Sequence, residues 1–219
     1  MLFRVATYNV KNTEGGRSLS GIADELARSG ADIIGLQELD RGTERSGRAD
    51  LLAELGKKSG YAEGRFCRAI DFQGGEYGTG ILTRRKILNA SVRSLPSGEE
   101  ARILTMFEID LDGEKLFFAN THLSLEQEAR RKQLAIVART LRGRSRAVLT
   151  GDFNIRGFEE LEVFCGMNIA NFIGHSFDTF KTGGKIDNII TSPDIAIRSV
   201  RMSESGYSDH NMLIADLEF

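Results

Sequence analysis

The sequence predicts a layered α/β fold, with β-sheets at the centre and helices packed outside, in a single domain spanning 1–219. Three observations predict it. Strand-like and helix-like segments alternate early in the chain, and strands crowd its middle and end. No linker, short-period repeat or low-complexity stretch divides the sequence. The balance of 24 glycines against 2 prolines suits many tight turns between strands.

Taken in order, Phe3 to Val10 reads as a strand. Leu19, Ile22, Ala23 and Leu26 fall at helical spacing, and Gly30 suits the helix end. Asp32 to Gln37 is a short apolar run of the buried-strand type, and a second amphipathic helix covers Leu51 to Ser59. Gly78 to Thr83, Lys86 to Arg93, Arg102 to Leu111 and Lys115 to Thr121 are extended, with Asp112-Gly113 as a hairpin turn between the last two. Ser124-Leu125-Glu126-Gln127 reads as a capping box opening a helix whose apolar stripe is Leu134, Val137, Ala138 and Leu141. Ala147 to Thr150, Ile186 to Thr191, Ala196 to Met202 and Met212 to Leu217 are the remaining strands.

A formal net charge of −2 provides no global basic field for a nucleic-acid backbone. Local basic clusters do occur, at Arg84-Arg85-Lys86, Arg130-Arg131-Lys132 and Arg139 to Arg146. Helix arginines of this kind are expected to be solvated or paired with Glu at i±4, and Glu126 and Glu128 flank the second cluster. Cys67 and Cys165 are expected as free thiols. The first residues read as a strand with no signal-peptide pattern, and no apolar run approaches bilayer-spanning length. A cytoplasmic monomer without a transmembrane segment is the expectation.

The chemistry-bearing residues share one position, at or just past the end of an apolar strand. Asn9 ends Val5-Ala6-Thr7-Tyr8, and Glu38 follows Ile33-Ile34-Gly35-Leu36-Gln37. His122 follows Phe117-Phe118-Ala119-Asn120-Thr121, while Asp152 and Asn154 follow Val148-Leu149-Thr150-Gly151. Sites in layered α/β folds gather at such strand ends. A single polar residue there could equally be a cap or turn former; five together are harder to read that way.

The ordered series Tyr8-Asn9, Gly35-Leu36-Gln37-Glu38, Ala119-Asn120-Thr121-His122-Leu123, Leu149-Thr150-Gly151-Asp152-Phe153-Asn154, Lys185-Ile186-Asp187-Asn188-Ile189-Ile190 and Tyr207-Ser208-Asp209-His210-Asn211 resembles the endonuclease/exonuclease/phosphatase superfamily. That group includes AP endonucleases, DNase I-like nucleases, sphingomyelinases and inositol-polyphosphate 5-phosphatases. The resemblance implies a four-layer α/β/β/α sandwich of two mixed sheets, with the site at one edge. It also implies Mg²⁺ or Mn²⁺ at Glu38, whose carboxylate oxygen suits a hard cation, with Asn9 and Asp209 completing or supporting that shell. Asp152 would orient or deprotonate the attacking water, and Asn154 would donate to a phosphoryl oxygen. His210, oriented by Asp187, would contact the phosphate, and His122 would lie near the phosphate or the leaving oxygen. Period-two alternation about a buried Phe153 would send Asp152 and Asn154 to one side.

Two departures bear on the substrate. Asn188 stands where many relatives carry an aromatic residue that helps line the site, and Glu76 is a candidate partner for His122. The third histidine, His175, falls outside the motifs and is expected on a surface loop. The chain has no Trp, unlike most abasic-site enzymes, and Asp178-Thr179-Phe180-Lys181 looks more like the phosphatase and sphingomyelinase branch. The expected function is therefore a divalent-metal-dependent phosphoesterase acting on a small-molecule or lipid-type phosphoester. A nuclease is the alternative, so nucleic acid is a second, disfavoured partner. A catalytically dead interaction module is a third reading. It fits poorly with a complete set of acids and imidazoles, whose burial without a metal costs stability.

Overall fold

The computed structural model describes residues 1–98 and 100–219. Among the described residues, twelve strands form two six-stranded mixed sheets. The first contains β1 (Leu2–Asn9), β2 (Ile33–Arg41), β3 (Glu63–Phe72), β4 (Gly75–Thr83), β11 (Ala196–Ser203) and β12 (Met212–Glu218), in the order β11-β12-β1-β2-β4-β3. The second contains β5 (Ile87–Leu95), β6 (Arg102–Leu111), β7 (Glu114–His122), β8 (Ala147–Asp152), β9 (Asn168–Ile169) and β10 (Asp187–Thr191), in the order β5-β6-β7-β8-β10-β9. Each sheet has one parallel pair at its centre, β1 with β2 and β7 with β8. Helices α1 (Leu19–Ser29) and α2 (Leu51–Ser59) cover the first sheet, and α3 (Gln127–Leu141) covers the second. The four-layer sandwich is therefore as expected, and no helix of the described residues is long and apolar enough to cross a membrane.

Alternation along each strand divides the core. Val5, Ile33, Phe107, Phe118, Val148 and Leu213 meet between the sheets. Their neighbours Ala6, Ile34 and Ile214 turn outward to α1 and α2, and Leu104, Ala119 and Leu149 turn outward to α3. The predicted stripe Leu134, Val137, Ala138 and Leu141 is buried on α3. The hairpin turn is also as predicted, since Asp112 and Gly113 both take positive φ, 53° and 93°, between β6 and β7.

Two local expectations are corrected, and one strand, β3, is added to those expected. Ser124 does not cap α3. Glu126 precedes the helix without a side-chain cap, and Ser124 Oγ instead accepts from the Glu126 N–H. β3 escapes the sequence pattern because it is an edge strand whose exposed positions alternate irregularly around a bulge at Arg68/Ile70. Arg130 is not solvated: it is fully buried, forked onto Glu160, and also donates to the Ser124 and Leu125 carbonyls. That pair ties α3 to the 3-10 helix Phe158–Phe164 and fixes the chain beside the ends of β7 and β8.

A polar layer joins the sheets near the same ends. Gln37 Nε2 donates to Thr7 and to Asn120 Oδ1, and the Asn120 amide donates to the carbonyls of Leu36 and Gly80 in the opposite sheet. Gly35 makes that approach feasible, because a Cβ there would lie 2.1 Å from Thr150 Oγ1 and 2.7 Å from Asn120 Oδ1. Gly35→Ala is accordingly expected to lower stability by about 1–3 kcal/mol, the usual cost of overpacking. Denaturant melts check this, and an unchanged midpoint would show that the layer yields freely.

Candidate active site

The two sheets present their motif residues at one edge of the sandwich. In the second sheet, His122 and Asp152 end the parallel strands β7 and β8 in register with each other. Asp187 opens antiparallel β10 directly opposite Asp152. In the first sheet, Asn9 ends β1, and Asp209 and His210 lie in the loop entering β12. That loop is pinned from below. Glu25 of α1 accepts from Tyr8 Oη, Ser205 Oγ and the Gly206 N–H, and Ser208 Oγ donates to the Asn9 carbonyl.

Glu38 reaches the site through a β-bulge. Leu36 pairs with Gly80 and Leu39 with Gly78, so β2 carries one extra residue there. Leu36 and Leu39 both stay on the helix-facing core, and Glu38 is extruded with φ at 58°. For a non-glycine residue this left-handed backbone is costly, and it aims the carboxylate into the cleft.

The cleft measures about 470 Å³ and is lined by Glu38, His122, Asp152, Asn154, Asp209 and His210. Asn9 is buried behind them. Its amide donates to Glu38 Oε1 and to Asp152 Oδ2, both at 3.0 Å, while its Oδ1 accepts the Lys11 N–H. Asn9 thus supports the carboxylates rather than turning its own oxygen to the cleft. Asp209 Oδ2 pairs with Lys11 Nζ at 3.0 Å. His210 Nδ1 meets Asp187 Oδ2 at 2.9 Å, and its Nε2 faces Asp152 Oδ2 at 3.7 Å. Asp187 acts behind the imidazole and does not line the cleft.

Asn154 joins Asp152 for a reason other than strand alternation. The strand ends at Asp152, Phe153 enters the core, and Asn154 adopts φ of 50°. The Asn154 N–H then donates to Asp152 Oδ1 at 3.0 Å, and its amide donates to the Leu123 carbonyl, leaving a second amide hydrogen for a ligand.

Burial governs the charges. Burial first, then the Asp187 charge, raises the Asp152 carboxyl to about 7. Burial opposes a charged His210, but the Asp187 charge and hydrogen bond, aided by Asp152 and Asp209, outweigh it and bring the imidazole to about 9. Burial raises Glu38 above the ordinary carboxylate range, with the Asn9 hydrogen bond partly offsetting it. A raised histidine contributes stability that is full below its unfolded value near 6.5 and fades as pH rises through about 9. Asp187→Asn is therefore expected to bring the His210 titration down from about 9, followed by the imidazole C–H resonance, and to lower turnover. An unchanged titration would disprove the pairing.

The donor set fits a divalent cation. Glu38 and Asp209 both line the cleft with hard carboxylate oxygens, only one Asp209 oxygen being engaged by Lys11, and burial disfavours Glu38 charge that no cation compensates. Asp152, Asp187 and His210 also bring ligand-type atoms within 4.8 Å of one another. There the imidazole is already committed to a carboxylate, so an ion-pair network describes this trio better than a metal cage.

Sequence reasoning missed the walls. Ile70, Phe72 and Tyr77 of the β3–β4 hairpin line the cleft together with Leu125, Phe180 and Ile186, and Arg45, Glu100 and Arg102 line it as well. Arg45 stacks on Phe72 and Tyr77, with its charge held by buried Asp40. Phe180 meets the His210 ring edge-on at 5.0 Å. Two sequence expectations change. Glu76 does not partner His122 but pairs with Arg41, because β4 places it on the outer part of the hairpin. The partner of His122 is Arg102, the first residue of β6, which no motif in the sequence singled out. Asn188 turns away from the cleft and pairs with Asn171. His175 is exposed on a loop, as expected.

A family model described as the Endonuclease/Exonuclease/phosphatase family matches residues 6–210. No curated protein sequence matches the chain. Solved structures share the fold at low identity. An endonuclease/exonuclease/phosphatase protein from Beutenbergia cavernae aligns at 19% identity and TM-score 0.84, over 100% of this chain and 72% of that one. A humanized TDP2 of D. rerio aligns at 20% and 0.80, over 100% and 99%. A mannosyl-6-phosphatase from Bacteroides thetaiotaomicron aligns at 19% and 0.78, over 99% and 100%.

Proposed function

Because the chain belongs to the endonuclease/exonuclease/phosphatase family, whose members are metal-dependent phosphoester hydrolases, we propose that it hydrolyses a P–O bond in a small-molecule or lipid-type phosphoester, with Mg²⁺ or Mn²⁺ as its metal. The observation that carries the substrate reading is the cleft itself. Its acids and imidazoles share the lining with six apolar or aromatic side chains and with only two basic ones, Arg45 and Arg102, each already paired with an acid, and none of the three basic clusters lines it. Arg85 pairs with Asp32 and Asp112, Arg130 with Glu160, and Lys132 with Glu128, so several of those charges are spent structurally.

Glu38 and Asp209 would hold the cation, with Asn9 orienting Glu38. The metal would supply charge neutralisation at the phosphoryl oxygens. Asp152, held by Asn9 and the Asn154 N–H, is placed to orient a water and accept its proton. Cationic His210 is placed to stabilise the charge that builds on the phosphoryl group. The free amide hydrogen of Asn154 adds a neutral donor.

Hydrolysis of a phosphodiester chromophore, a phosphomonoester, sphingomyelin, abasic DNA and plasmid DNA, each with Mg²⁺ and with EDTA, tests the reading. Mg²⁺-dependent turnover of a non-nucleic-acid substrate is expected. Turnover confined to the DNA substrates would make the protein a nuclease, and metal binding without turnover of any phosphoester would make it a non-catalytic module.

A further inference from the structure

We propose that Arg102 is a positioning residue that locks His122 as a neutral imidazole with its proton on Nε2, so that His122 serves as a fixed hydrogen-bond donor to a phosphoryl oxygen and keeps its proton throughout the reaction. The lock itself follows from contact geometry. The donor role rests on the phosphoesterase reading above.

A guanidinium has donors and no acceptor, and stays charged at any working pH. Arg102 Nη1 lies 3.0 Å from His122 Nδ1, so Nδ1 must accept and cannot carry a proton. The proton of a neutral ring then sits on Nε2, which faces Asp152 Oδ2 at 3.5 Å, as an N–H facing a carboxylate should. An imidazolium would instead set a donor and a positive charge against the guanidinium, in a place where both side chains are buried.

Neither partner is free to swing away. His122 ends β7, in register with β8 on one side, and Arg102 opens β6 on the other. A second contact holds Arg102, whose Nη1 pairs with Glu100 at 2.7 Å. The charged groups facing His122 are Arg102 with Glu100 paired to it at the cleft, Asp152 from β8, and His210 from the loop before β12. Of those in direct contact, Asp152 alone favours a cationic His122, and its carboxylate is shared with His210. Burial, then the Arg102 and His210 charges, hold His122 well below the ordinary imidazole value.

Both Arg102 and His122 line the cleft, and the contact from Nε2 to Asp152 is long at 3.5 Å, so a phosphoryl oxygen entering there would compete with Asp152 for the Nε2 proton. Proton transfer from this ring would leave an imidazolate. A leaving group must therefore take its proton from a group other than His122.

Long-range ¹H–¹⁵N spectra of the imidazoles test the lock without substrate. The sequence has three histidines, and loss of a signal in His122→Asn assigns the relevant one. The expected spectrum has Nδ1 bare and Nε2 protonated, unchanged from about pH 5.5 to 8.5. Arg102→Lys should keep that pattern, since it retains a cationic donor. Arg102→Met removes the donor and its charge but not the burial, so it should release the fixed tautomer, with part of the His122 signal carrying its proton on Nδ1, and move the titration upward from its wild-type position, with turnover lower by about 10- to 100-fold, the usual scale for orienting partners. A wild-type His122 that titrates in this range, or carries its proton on Nδ1, overturns the lock even if Arg102→Met fails to fold. An Arg102→Met spectrum identical to wild type assigns the lock to another group and overturns the proposal as well. A locked His122 in a protein that hydrolyses no phosphoester overturns the functional reading, and the donor role with it, while the lock stands.

Discussion

Asp152→Asn is expected to lower turnover by about 10²–10⁴, the range for a general base or an electrostatic group at a reacting centre, while raising the melting temperature of the metal-free protein above neutral pH. The first effect follows from position. Asp152 is 99% buried, lies at the junction of β7, β8 and β10, and accepts from both Asn9 and the Asn154 N–H. Asn at this site keeps the shape and loses the basic oxygen. The second effect follows from linkage. Burial and Asp187 raise the carboxyl from 3.8 to about 7. A carboxyl with a raised folded value contributes stability that is full below its unfolded value and is lost as pH rises through the folded one. Wild type in EDTA should thus lose stability between about pH 4 and 8 relative to Asp152→Asn, and the gap in melting temperature should be wider at pH 8 than at pH 5. Melts at the two pH values, alongside Mg²⁺-dependent hydrolysis, check both arms. An active variant removes Asp152 from the chemistry, and a variant that melts lower at both pH values makes it structural.

Glu38→Gln is expected to lower Mg²⁺-dependent turnover at fixed metal by at least about 10²-fold, since loss of an outer partner alone typically costs 10- to 100-fold. Mn²⁺ affinity read by electron paramagnetic resonance should fall with it, and crystals of the wild type soaked in Mn²⁺ should show anomalous density at Glu38. The bulge explains why the effect should stay local. Leu36 and Leu39 anchor β2 on either side, and Glu38 contributes a half-buried carboxylate rather than core packing. Unaltered Mn²⁺ affinity, or anomalous density away from Glu38, would move the cation elsewhere, and Asp152, Asp187 and His210 would be the next group to test.

The sequence carried the parts of this protein that depend on short-range pattern. Period-two and period-3.6 hydrophobicity located α1, α2, the apolar stripe of α3 and most strands, because each element buries one face and local sequence must supply it. The ordered motifs carried the family and named Asn9, Glu38, His122, Asp152, Asn154, Asp187, Asp209 and His210, and the strand-end pattern located Asn9, His122, Asp152 and Asn154, whereas Glu38, expected just past a strand, lies inside β2 at its bulge. The tertiary structure alone decided how those ends meet. The in-register ends of β7 and β8, with β10 running antiparallel beside them, bring residues 122, 152 and 187 into one row. A single-residue bulge turns Glu38 from the helix layer into the cleft. The partner of His122 was chosen in the same way. Glu76 was the partner that the family resemblance suggested, yet strand pairing carries it to Arg41, while β6 brings Arg102 to the imidazole. Register and bulges are set by which faces must be buried across the whole sandwich, a long-range condition that no local window contains.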